Sequence, residues 1–157
     1  MAVWLSPLQG RTWLSYMSVY HRLEYEMNRH LQADCGLSFP DYTVMNALSG
    51  APGRRMRLSA LATMIGWERS RLSHHLQRMA ARGLVDRVQS DTDGRATDAS
   101  LTDLGMRTLR TAAPKHVAWV RKVFFAGLDD DQVEELGDLL DLVYGTILRE
   151  GTLPPPG

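Results

Sequence analysis

The sequence predicts a mainly α-helical fold interrupted by a small β-hairpin. Three observations carry this. Apolar residues recur at steps of three and four over most of the chain, the spacing of one helix face. Two short striped segments, 57–66 and 69–82, stand back to back across a glycine-containing turn, the pattern of a helix-turn-helix. Around Asp93-Gly94-Arg95 the rhythm gives way to polar, extendable residues, and Asp-Gly is a favoured hairpin dipeptide.

The elements follow in order. From about Pro7 to Leu31 the stripe passes through Trp13, Met17, Tyr20, Leu23, Met27 and Leu31, one long amphipathic helix ended by Gly36. Phe39-Pro40-Asp41 opens a second helix reaching about Leu48, with Pro40 where its missing N–H costs nothing. Gly50, Pro52 and Gly53 mark 49–55 as a loop. Leu58, Leu61, Ala62 and Ile65 share one face of the 57–66 helix, which Gly66 closes, and the 69–82 helix stops at Gly83. Residues 84–90 and 96–101 read as short strands around a tip from Asp91 to Arg95. Thr102 is the N-cap of a helix running to about Phe125, kinked by Pro114. Asp129 and Gln132 form a capping box for a last helix striped by Leu136, Leu139, Leu140, Val143 and Ile147, and "GTLPPPG" is a frayed tail.

A chain of 157 residues suits one domain better than two, since domains run to about 100–200 residues. Its 44% apolar content is enough for a real core. No run is long enough to span a membrane, and "MAVWLSPLQGR" lacks the charged start and apolar stretch of a secretory signal. The single Cys35 suits a reducing compartment, so a cytoplasmic location is expected. The net charge of zero conceals a sorted distribution. Residues 54–95 hold nine Arg against Glu68, Asp86, Asp91 and Asp93, whereas residues 127–157 hold one Arg against eight acids. One surface is built for an anion and another is kept from it.

On a helical wheel of the 69–82 segment, Leu72, Leu76 and Met79 converge on the core. Opposite them lie Ser70, Ser73, His74 and Gln77, flanked by Arg69, Arg71 and Arg78. A major groove admits such a helix, and Arg, Gln and Ser can read base edges or phosphates there. A merely solvated polar face is the weaker reading, because the preceding turn and following hairpin fit the same use. His75 points between core and flank and reads as a packed or helix-bonded histidine; it diverges from His74, so the two cannot chelate one metal. The hairpin is a wing whose Arg95 can enter a narrow minor groove, with Asp93 placed to brace its guanidinium.

Residues 58–105 resemble the winged helix-turn-helix core of the MarR family of bacterial transcription regulators. Leu61-Ala62, Arg82-Gly83-Leu84-Val85, Asp93-Gly94-Arg95 and Leu101-Thr102-Asp103-Leu104-Gly105 match that family's signature. The resemblance implies a single MarR-like unit over 1–157, with a winged helix-turn-helix at about 39–105 and a dimerisation region at about 7–35 and 106–150. It also implies a homodimer on a pseudo-palindromic double-stranded DNA operator, acting as a repressor. The stripes of the first and last helices are too far from the 58–105 core to be fully buried by it alone, which supports a dimer arm.

The same resemblance implies release from DNA by a small aromatic acid or phenol. Trp13, Tyr16, Tyr20, His21 and Trp67 are candidates to line its cleft, with Arg11 or Arg22 meeting a carboxylate. A plain core and interface role for these aromatics is the commoner use. Redox sensing through Cys35 is an alternative, but no Arg or Lys lies within three positions and no second cysteine exists, so a small inert hydrophobe fits better. Glu24, His30, Cys35 and His116 match no zinc spacing, and no metal or other cofactor is expected. No phosphate loop or nucleophile elbow is present, which argues against an enzyme. A winged-helix protein-interaction module without DNA binding would show exposed apolar residues in place of the arginines.

Overall fold

Helix starts and stops along this chain are set by short-range chemistry. The structure, a computed structural model, describes residues 4–156; Met1–Val3 and Gly157, the extreme ends of the leader and tail segments read above, lie outside it. Helix α1 (Pro7–Cys35) begins at a Ser6–Gln9 capping box and ends at left-handed Gly36. Helix α2 (Phe39–Ser49) begins at a second box, Ser38 with Asp41, with Pro40 in its first turn. A short helical turn, Pro52–Arg54, leads into strand β1 (Arg55–Arg57), within and just beyond the segment expected as loop. Helices α3 (Leu58–Ile65) and α4 (Arg69–Ala81) follow, separated by Gly66 at φ 69°. Gly83, at φ 73°, closes the region beyond α4, where an L-residue with a Cβ would be strained.

Strands β2 (Val85–Gln89) and β3 (Thr97–Leu101) form the expected hairpin. They belong to a three-stranded antiparallel sheet in the order β1-β3-β2, with Arg57 opposite Asp98 and Val88 also opposite Asp98. Thr102 caps α5 (Asp103–Val120) through the amide of Gly105. Helical geometry continues unbroken through Pro114, and the departure comes later, in a wider π-type turn at Arg121–Phe125. The Asp129–Gln132 capping box starts α6 (Asp130–Glu150) as expected.

One apolar core joins α2, α3, α4, the sheet and the middle of α5. Val44, Met45, Leu48, Leu61, Leu72, Leu76, Met79 and Val85 are fully buried in it. The fit is tight where α5 starts: a Cβ on Gly105 would collide with the Leu84 carbonyl and the Leu101 side chain. The arm differs. Leu31 is the one buried residue of α1, and α6 buries none among the described residues and packs substantially on no other element. Trp13, Leu14 and Tyr20 on α1 and Leu139, Leu142, Val143 and Ile147 on α6 stand in the open.

Candidate nucleic-acid interface

Helix α4 is held by its inner face and presents its outer one. Leu72, Leu76 and Met79 are buried, while Arg69, Ser70, Arg71, His74, Gln77 and Arg78 are exposed and Ser73 is half-buried. The wing lies beside it. Arg87 on β2 donates to Ser73 Oγ at 3.1 Å, tying strand to helix. Between α4 and the wing runs a cleft of about 480 Å³. Arg57, Arg69, Arg87 and Arg95 line it with Ser70, Ser73 and a few small residues, and no carboxylate does. Four guanidinium groups converging without an acid make a strongly anion-selective surface, suited to forked contacts with phosphate or guanine.

Arg57 and Arg87 were not singled out from the sequence. Their membership of the nine-arginine excess was visible, but only the register of β1 and β2 brings them to the same cleft. At the wing tip, Asp93 differs from expectation. Its carboxylate accepts the Arg95 backbone N–H at 3.1 Å, and its carbonyl accepts the Ala96 N–H at 2.9 Å. Asp93 therefore shapes the turn and does not brace the guanidinium, because a side chain this short folds back most easily on an amide two residues on. Gln89 Nε2 adds a bond to the Gly94 carbonyl.

Two other residues are used differently. Trp67, expected beside Trp13, Tyr16, Tyr20 and His21, packs in the winged core. Its ring carries the Arg71 guanidinium 4.0 Å from its centroid and meets His75 edge-on. Arg71 is thus held on an aromatic shelf at the edge of the polar face. Arg78 turns to the far side of α4, where it donates to His75 Nδ1 at 3.0 Å and lines a second cleft with Asn28, Gln32, Asp41 and Arg82.

That side is fixed by a buried carboxylate. Asp41 Oδ2 accepts from Arg82 at 2.7 Å and from the Ser38 amide at 3.0 Å, and Oδ1 lies 3.0 Å from His75 Nε2. Burial alone would raise the Asp41 pKa, but the close His75 imidazole and the bonds from Arg82 and Ser38 outweigh it and hold the carboxyl well below the usual range. His75 is packed and bonded, as expected.

On α1, Trp13, Tyr16, Tyr20 and His21 form an exposed file of rings with centroids 5.7, 6.3 and 5.2 Å apart. Arg11 and Arg22 stand on the opposite side of the helix, so neither joins the rings as expected, because about 100° separates successive residues. A second aromatic group went unread in the sequence. His30, His116 and Trp119 stack nearly parallel on the seam between α1 and α5, with Tyr42 against His116. Only the crossing of two helices distant in sequence brings these rings together. Burial, and then His30, lower the His116 pKa. Burial raises the Cys35 thiol despite nearby Lys115, which opposes a reactive thiolate.

No curated protein matches the chain, whereas solved structures and a family model do. The MarR family model matches residues 36–96. AbsC, a MarR family transcriptional regulator of Streptomyces coelicolor, is 35% identical with a TM-score of 0.86, over 94% of this chain and 99% of that one. Sco3205 of the same organism, a MarR family regulator solved in complex with DNA, is 35% identical with a TM-score of 0.90, over 99% and 98%. The PcaV regulator of S. coelicolor, solved with its natural ligand, is 28% identical with a TM-score of 0.68, over 81% and 89%. With two relatives 35% identical and matched over nearly the whole chain, the chain belongs to the MarR family of transcriptional regulators and is not an enzyme.

Proposed function

We propose that the chain is a homodimeric repressor that reads a pseudo-palindromic duplex operator. Helix α4 enters the major groove, and Arg95 on the wing enters the adjacent minor groove. The acid-free cleft framed by Arg57, Arg69, Arg87 and Arg95 carries this reading. In the proposed division, residues 39–105 form the DNA-binding unit, and 7–35 with 106–150 form the dimer arm. The exposed stripes of α1 and α6 support that arm, and the acids of α6 lie in it, apart from the arginine cleft in the chain. The DNA in the Sco3205 structure supports the duplex as partner.

The effector is a small aromatic acid or phenol: PcaV, solved with a natural ligand, supports an effector, and the exposed ring file at Trp13, Tyr16 and Tyr20 supports an aromatic one. Selection of bound fragments from a random duplex library, followed by anisotropy titration against salt, tests the DNA reading. Two inverted half-sites about one turn, ~34 Å, apart are expected. A log–log salt slope of roughly −0.9 per neutralised phosphate accompanies them. A flat salt response overturns it. Benzoates and phenols added to the complex test the effector reading, which fails if none releases the duplex.

A further inference from the structure

We infer that Arg55 is a positioning residue that sets the wing's angle to the recognition helix without touching DNA itself. This rests on the DNA-binding reading above. The Arg55 guanidinium makes three contacts at the root of the wing. Its Nε donates to Asp98 at 2.8 Å, its second amino group donates to the Gln89 carbonyl at 3.0 Å, and its first lies 3.1 Å from Asp91. These partners sit at the start of β3, the end of β2 and the first residue of the tip. One planar fork thus joins both arms of the hairpin where ladder pairing stops.

The strand that carries this fork is continuous with the helix-turn-helix. Strand β1 runs from Arg55 to Arg57 and Leu58 begins α3, so no loop intervenes. Arg57, on the same pleat face, adds bonds to Thr92 at 2.9 Å and Ser90 at 3.4 Å. A two-stranded hairpin is marginal alone and can swing about its base. Here the base is pinned to β1, which leads directly into α3, the helix on which α4 packs, so Arg95 is delivered at a set distance from Ser73 and Gln77.

Two observations separate this role from a phosphate contact. Asp91 and Asp98 together offset the Arg55 charge, leaving little for a polyanion. Arg55 also does not line the arginine cleft, whereas Arg57 does. A lysine would keep the charge but cannot form the three-way fork.

The test is a double-mutant cycle on the selected operator. Arg95→Ala is expected to weaken wild-type binding by about tenfold, but the Arg55→Lys chain by less than about threefold, because its wing is already misdirected. Asp98→Asn, which breaks the strongest tooth of the fork, should give the same loss of coupling and guards against misfolding of one variant. Full binding by Arg55→Lys, or additive effects in the cycle, overturns the inference while leaving DNA binding intact. A spin label on Gly94→Cys in a Cys35→Ser background gives a readout that needs no duplex. Arg55→Lys should raise tip mobility, and unchanged spectra overturn the inference even if no duplex is bound.

Discussion

Asp41 at the start of α2 and His75 in the middle of α4 meet with Nε2 3.0 Å from Oδ1. On the other edge of the ring, the Arg78 guanidinium donates to His75 Nδ1 at 3.0 Å. One buried acid thus links α2, α4 and Arg82, and through Trp67 the contacts reach Arg71 on the outer face.

Acid should loosen this linkage. The Asp41 pKa is depressed in the folded chain, so its contribution is complete above the ordinary carboxylate range and is lost as pH falls below that range toward the depressed folded value. Asp41→Asn is expected to cost roughly 2 kcal/mol at neutral pH, below a fully buried pair because Arg82 is half exposed. It should also flatten the loss of stability between neutral and acid. Thermal midpoints at pH 7 and at about pH 2.5, below the ordinary carboxylate range, check this; a variant with wild-type acid sensitivity would refute it.

Gly105→Ala isolates the tightest contact in the core. Alanine is the better helix former by about 1 kcal/mol, yet its methyl group would strike the Leu84 carbonyl. A net loss of more than about 2 kcal/mol in urea unfolding is expected, since overpacking against backbone has no cheap relief. Any gain in stability would show that the strand and α5 can separate freely.

Leu140→Glu with Val143→Glu places charge on the open stripe of α6. Sedimentation should change from a dimer to a single chain. Because α6 packs substantially on no other described element, far-ultraviolet ellipticity of the winged core should persist. A variant that still sediments as a dimer would move the interface elsewhere.

Arg95→Ala should weaken binding on every duplex and reduce the salt slope by about 0.9 if it removes one phosphate contact. Gln77→Ala should instead relax one base position by ~1–3 kcal/mol. Ser73→Ala is expected to affect both, because it also frees Arg87. Competition with single-base operator variants separates these outcomes.

Local signals made most of this fold readable. Pro40, Asp129 with Gln132, Thr102 and the glycines at 36, 66 and 83 act within a few residues, and each stands at the boundary expected, while the Ser38 cap went unread. Strand β1 escaped because its three residues pair with β3, more than forty positions away, and its sequence carries no alternation of its own. The same cause hid Arg57 and Arg87 from the cleft, whereas Trp67 meets Arg71 only four residues on, a local contact that was open to reading. The outward face of α4 needed only helical periodicity and was legible. Which guanidinium meets which partner depends on register, and no periodicity encodes that.

The way the helices begin has a further consequence. Ser6, Ser38, Thr102 and Asp129 cap α1, α2, α5 and α6, whereas α3 and α4 start from Arg57 and Glu68 with no side-chain cap. The leading amides of α4 are therefore left to water, at the positive end of the helix dipole. They should trade protons with solvent faster than those of the capped helices and slow when an oxyanion settles over them. In the proposed complex, the phosphates of the duplex would supply the cap that the chain's own side chains do not.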